Sequence, residues 1–422
     1  MCPRMRTPAR LLLTALLLFV LLIIFNLDNH DDGITTAEER KSDKESERVQ
    51  REERVKERVK EKVEERVREE GERRVLSFTR LNPDVLVHSP FDDRRQGNMN
   101  GRSIRFLVIA RGKTPLHCRV LGREIEGSWY ELAENHQMAF GSFIVSCELP
   151  SELENEDLVE RVEISVEGSA VLSLDIDHIL PREDQVTHFT FQYGICVPLV
   201  YGSRYSAPRI VEWAELVRRT GVESVSIYVD SASLLSETRQ AIQFYERQGF
   251  FEVTEYHEPV ENLWYHGQLA LIHDCLLRHS INTKFLSFHD VDEVILSLEK
   301  GKTVASLLSQ LPEDVASLRV STQYMNNNNP GVPFTFHNVI TDGKLDARFT
   351  KCIVRPICVF EQGIHHTSRA IQDSLKMQKA DESTLRLFHY RRSFAEGTKD
   401  SIVPDSFPDL PDVINGILKK LF

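Results

Sequence analysis

The chain has 422 residues, 41% of them hydrophobic, so it can bury at least one large core and is longer than one ordinary domain. A net charge of −12 and a pI near 5.7 exclude a surface that tracks nucleic-acid phosphates, which needs clustered Lys and Arg.

Residues 11–27 form an apolar run, preceded by Arg4, Arg6 and Arg10 and followed by Asp28, Asp31 and Asp32. That asymmetry predicts a membrane span with residues 1–10 in the cytosol and the remainder lumenal. The run is short and suits a thin secretory bilayer. A cleaved signal peptide would have similar flanks, but the sequence from Phe25 to Asn29 offers no small-residue cleavage site. The expectation is therefore a single-pass type II protein of the Golgi membrane, held by one N-terminal helix. Six cysteines lie beyond the span, and Cys118 with Cys147 is the natural pair inside one domain. Cys352 and Cys358 could bridge only if the chain reverses near Pro356. No Cys-x-x-Cys is present to hold a structural zinc.

Residues 28–74 are dominated by Glu, Arg, Lys and Val, with Val55, Val59, Val63 and Val67 spaced by four. Such a stripe drifts around a helix and cannot keep a heptad seam. Acid–base neighbours at i,i+4 support a solvated helical stalk. A coiled coil giving a homodimer, and plain disorder, are the competing readings.

From 75 to 187 the pattern is short, β-branched and alternating, as in Ser103–Ala110, His117–Leu121, Gly141–Cys147, Val159–Val166 and Ala170–Ile176. Turn residues between these runs predict a small all-β, sandwich-like domain. Asp175-Ile-Asp177 falls on its last strand and reads as structural.

Residues 188–395 switch to strand and helix in alternation. Ile195–Tyr201, Ser224–Asp230, Phe250–Thr254 and Phe285–Phe288 read as strands. Between them lie a helix opened at Pro208 and stopped by Gly221, one over Leu234–Arg247, and one over Gly267–Arg278. This predicts an α/β catalytic domain with a mostly parallel sheet, followed by a C-terminal segment, 396–422.

In such sheets ligands bind beyond the carboxyl ends of the strands. The run from Phe285 to Ile295 reads as an apolar strand ending in Asp290, Asp292 and Glu293. Residues two apart in extended chain share a side, so Asp290 and Asp292 are expected to converge on a divalent metal. Asp230 with Ser231 ends a second strand and is placed for a ribose hydroxyl or base edge, a helix N-cap being its bland alternative. His389 and His365 are the imidazoles expected to complete a metal shell. Asn326 to Asn329, with Phe334 and Phe336, carry the amides and rings that bind sugars.

As a set, Cys196-Val-Pro-Leu, Glu212-Trp213 through Gly221-Val, Ile227-Tyr-Val-Asp230, His273-Asp-Cys275-Leu, Phe288-His-Asp-Val-Asp-Glu-Val-Ile295, Lys351, Ile364-His365 and His389-Tyr390-Arg391 resemble glycosyltransferase family 92. The resemblance implies a GT-A-like fold, a UDP-galactose donor, Mn²⁺, inversion at the anomeric carbon and a glycan acceptor such as the core fucose of an N-glycan. Mn²⁺ would then sit on Asp290, Asp292 and His389, Lys351 or Arg355 would add positive charge, and Asp230 would orient uridine. Glu361, Asp346 and Glu293 are the candidate general bases that inversion requires. Two rivals compete: a haloacid-dehalogenase-like phosphatase with Asp290 as nucleophile, and a non-catalytic glycan-binding protein on the same scaffold.

Overall fold

The computed structural model describes residues 73–95, 101–153, 159–176, 178–326, 339–392 and 396–422. The expected span and nearly all of the stalk lie outside these residues, as do Asn327–Asn329, Phe334, Phe336 and Asp177. Among the described residues no helix is long and apolar enough to cross a membrane. Residues 70–422 form one compact unit.

The expected strand–helix alternation is present. β6 (Phe191–Val200), α1 (Ala207–Arg219), β7 (Ser224–Val229), α2 (Ser236–Glu246), β8 (Phe251–Tyr256), α3 (Gln268–Arg278) and β9 (Thr283–Phe288) follow one another. The four strands pair in parallel in the order β8-β7-β6-β9. α1 starts with Pro208 in its first turn and buries Ile210, Trp213, Ala214 and Val217 on the sheet. Gly221 follows at φ +92°, a left-handed conformation that ends the helix cheaply only without a side chain.

Beyond β9 the sheet stops being parallel. β12 (Ile340–Val354) runs antiparallel to β9, and β11 (Val315–Asn326) antiparallel to β12. β13 (Leu385–Arg392) and β10 (Glu293–Ser297) complete that side. At the opposite edge β1 (Arg74–Leu76) pairs in parallel with β8. Arg74, expected in the stalk, and Val75, expected in the β domain, thus belong to the catalytic sheet, which has eleven strands.

The sandwich is built as its alternation requires. β2 (Ser103–Ala110) and β4 (Gly141–Glu148) pair in a seven-stranded sheet, and β3 (Leu116–Val120) and β5 (Arg161–Val166) in a four-stranded one. Val108, Leu116, Val145 and Ile164 share the core between them, and a Cys118–Cys147 disulfide joins the two sheets. A second disulfide, Cys196–Cys275, ties β6 to α3, while Cys352 and Cys358 are buried thiols. The helix α4 (Leu410–Leu421) packs with α1 and α2 on one face of the large sheet. α3 and the sandwich residues Leu107 and Ile144 cover the other.

Candidate active site at the carboxyl edge of the sheet

β9 stops at Phe288, and Asp290 to Asp292 form a turn in which the Glu293 amide donates to the Asp290 carbonyl at 3.1 Å. The extended geometry expected for this pair is therefore corrected. The chain leaves β9 there and crosses to β10 at the far edge of the sheet. Asp290 is half-buried and Asp292 is buried. α1 fixes the exit of this turn, because Trp213 Nε1 donates to the Glu293 carbonyl at 2.9 Å.

Strand pairing brings His389 to the turn. β10 and β13 are antiparallel with Glu293 opposite His389, and the Tyr390 amide donates to the Asp292 carbonyl at 2.9 Å. His389 Nδ1 lies 3.3 Å from Glu293 Oε1, and its Nε2 lies 3.7 Å from Asp292 Oδ2, beyond hydrogen-bond length. Burial would lower the His389 pKa, but Glu293 and Asp292 outweigh it and raise it. The same neighbours act on Asp292: burial pushes its carboxyl up, yet His389 and Arg204 hold it well below the usual range.

Glu293, a candidate base, is 3% exposed and fully engaged. Its Oε2 accepts from the Asp290 amide at 3.0 Å and pairs with Lys351 Nζ at 3.2 Å, while Oε1 faces His389. Burial raises the Glu293 pKa against the pull of Lys351 and His389. Burial would lower the Lys351 ammonium, but Glu293 and Asp290 hold it at about 12. Glu293 therefore ties the Asp290 turn, Lys351 and His389 together and has no oxygen left for an acceptor.

The other two candidate bases are also committed elsewhere. Both Glu361 oxygens serve the sandwich, accepting from Tyr130 Oη at 2.6 Å and the Ala133 amide at 2.7 Å. Asp346 is paired with Arg348, whose hydrogen bonds lower its pKa. Arg355 lies level with the start of β9, stacked over Phe285 at 4.4 Å, with its guanidinium on the carbonyls of Leu311, Pro312 and Val315. It is not brought to the Asp290 turn. Two arginines given no role from the sequence stand here: Arg204, whose Nη2 lies 3.4 Å from Asp292 Oδ2, and Arg391, which lies within the field of Asp292 and donates to Tyr265 Oη at 3.4 Å. Arg391 follows His389 by two residues on one strand, a signal the sequence did carry.

Asp230 closes β7 beside the end of β6, its amide donating to the Val200 carbonyl at 3.1 Å. The α2 cap is Leu235, so Asp230 is no N-cap. Its carboxylate lies 3.4 Å from His257 Nδ1. Ser231 is spent on Glu255, through its amide at 2.7 Å and its hydroxyl at 2.6 Å. Among the described residues, Asp230, Glu255 and His257 are the trio whose ligand atoms lie within 4.8 Å of one another. Asp290, Asp292 and His389 do not close to that distance. His365 is half-buried with Nδ1 3.3 Å from the Thr350 carbonyl, and burial and Lys351 lower its pKa.

Open α/β sheets bind their ligands at this carboxyl edge, where the carboxylates, imidazoles and cations of this chain gather. The model of glycosyltransferase family 92 matches residues 191–415. The β-1,4-galactosyltransferase galt-1 of Caenorhabditis elegans is 34% identical over 323 residues, covering 75% of this chain and 76% of that protein. The galactan β-1,4-galactosyltransferase GALS3 of Arabidopsis thaliana is 26% identical over 219 residues, 49% of this chain and 42% of its own length. Among solved structures, S. aureus TarS in complex with UDP aligns over 53% of this chain and 64% of its own at 14% identity, with a TM-score of 0.30. The chain belongs to glycosyltransferase family 92 and is a glycosyltransferase. The phosphatase and the non-catalytic reading fall with that assignment.

Proposed function

We propose that this chain is a metal-dependent galactosyltransferase that moves galactose from UDP-galactose to a glycan acceptor. The observation that carries the metal is a pair of orphaned atoms. Asp292 Oδ1 and His389 Nε2 are buried without a hydrogen-bond partner, an arrangement whose cost of about 1–3 kcal/mol per group a cation would remove. Glu293 on the far nitrogen of His389 is the carboxylate–imidazole support typical of metal-binding histidines. Oxygen and imidazole donors suit Mn²⁺, which would be held by Asp290, Asp292 and His389. A bound Mn²⁺ would neutralise the charge that develops on a departing diphosphate.

The protein's own groups support the rest. Arg204 and Arg391 lie on the Asp292 side and would hold diphosphate oxygens, adding the positive charge expected of Lys351 or Arg355. Lys351 remains bound to Glu293 and supplies positive charge from beneath the turn. Asp230 at the end of β7 would meet the uridine. The galactosyltransferase relatives support the donor, and a core-fucosylated N-glycan is the acceptor we favour. Two disulfides fit an oxidising compartment, in keeping with a Golgi type II protein anchored by residues 11–27. The test is incubation of the purified enzyme with a panel of UDP-sugars and Mn²⁺. Selective loss of UDP-galactose supports the reading, and consumption of a different donor refutes it.

A further inference from the structure

β12 carries a deformation beside the site. Val320 pairs with Lys351 and Thr322 with Asp346, so Ser321 alone faces the four residues from Ala347 to Thr350. Bulges of this kind re-aim side chains and collect next to active sites. This one turns Phe349 outward, leaving it 44% exposed two residues from Lys351. The His365 imidazole meets the Phe349 ring edge-on, with centroids 5.2 Å apart.

The position of His365 is built from both parts of the molecule. Its Nδ1 faces the Thr350 carbonyl, and its own carbonyl accepts from the Thr350 hydroxyl. Glu134 of the sandwich takes the Ile364 amide at 2.6 Å and pairs with His366 Nδ1 at 3.2 Å. A proton on Nδ1, donated to Thr350, leaves Nε2 as an acceptor. Sheet order then separates two sides: β6 and β7, with Asp230, flank β9 on one side, and β12 flanks it on the other.

We propose that Phe349 and His365 form the acceptor-sugar subsite, the ring taking the apolar face of a pyranoside and His365 Nε2 accepting one of its hydroxyls. Donor nucleoside and acceptor thus reach the Asp290–Asp292 turn from opposite sides. Stacking on an exposed ring and one hydrogen bond are what a sugar offers such a pair. The inference rests on the glycan-acceptor reading above.

The experiment measures acceptor KM, donor KM and acceptor-free hydrolysis of UDP-galactose in Mn²⁺, with a core-fucosylated N-glycan and a β-1,4-galactan oligosaccharide as probes. Phe349→Ala is expected to raise acceptor KM roughly three- to tenfold and leave donor KM, hydrolysis and thermal midpoint unchanged. Phe349→Trp should restore acceptor KM, and His365→Ala should reproduce the split. Unchanged acceptor KM in Phe349→Ala, or an equal rise in donor KM, overturns the subsite. Wild-type enzyme that hydrolyses the donor but transfers to neither glycan also overturns it while sparing the donor reading. Wild-type enzyme that leaves UDP-galactose intact overturns both.

Discussion

Glu293→Gln tests how the site is held together. The carboxylate is 3% exposed and meets three groups at once: the Asp290 amide at 3.0 Å, Lys351 Nζ at 3.2 Å and His389 Nδ1 at 3.3 Å. The amide keeps the shape and removes the charge. It leaves the Lys351 ammonium, itself 3% exposed, buried without its counter-ion. Breaking a buried pair from one side costs about 3–5 kcal/mol. The variant should therefore unfold at a clearly lower urea concentration than wild type. Its Mn²⁺ affinity should fall as well, by roughly 10–100-fold, because His389 loses the carboxylate that orients it. Adding Lys351→Met should recover much of the stability and none of the metal affinity. A Glu293→Gln enzyme with a wild-type urea midpoint and wild-type Mn²⁺ dependence would refute the reasoning.

Two further outcomes follow from the fold. Burial would raise the Asp93 carboxyl from 3.8, but Arg95 and Arg105 hold it at about 2 in the sandwich, where Arg95 also binds the Val359 carbonyl at 2.9 Å. A depressed pKa contributes stability that is fully present above 3.8 and is lost as pH falls towards 2. The contribution is about 2 kcal/mol, so the gap between wild type and Asp93→Asn in urea should narrow between pH 5 and pH 2; a gap independent of pH contradicts the pairing. Gly221 at φ +92° has Ala305 Cβ 2.6 Å from where its own Cβ would stand, whereas Gly249 at φ +67° faces open space. Gly221→Ala should cost about 2–3 kcal/mol and Gly249→Ala about 1 kcal/mol, and the reverse order in thermal melts would contradict this.

Period and punctuation made most of the fold legible. Pro208 and Gly221 bracket α1, and β2 spans the expected Ser103–Ala110. The parallel direction of β6, β7, β8 and β9 follows from strand–helix alternation, while their order in the sheet does not. What the sequence hid is long-range. The parallel addition of β1 to β8 depends on three residues at the end of a charged stretch. The separation of β9 from β10, across the whole mixed side of the sheet, breaks what reads as a single apolar run.

The site divides along the same line. Asp290, Asp292 and Glu293 were legible as a carboxylate knot, the pairing of Lys351 with Glu293 was not, and cross-strand pairing places His389 beside them. Roles were harder to read than positions. Nothing local shows that Glu361 will be consumed by Tyr130 and Ala133, residues more than two hundred positions upstream. Arg355 looks equivalent to Lys351 in sequence, yet four residues of extended chain place it level with Phe285, back along β9 from the Asp290 turn. Arg204 was invisible because its partner, Asp292, lies on a different connection.

Metal dependence rests most directly on the two orphaned atoms at Asp292 and His389. The deciding measurement is UDP-galactose consumption at graded Mn²⁺ by wild type, Asp292→Ala and His389→Ala, each verified as folded by its thermal midpoint. The account predicts turnover in wild type that a chelator abolishes and Mn²⁺ restores, with none in Asp292→Ala and a right-shifted Mn²⁺ requirement in His389→Ala. Wild-type turnover in the presence of chelator, or undiminished turnover in Asp292→Ala, would contradict it.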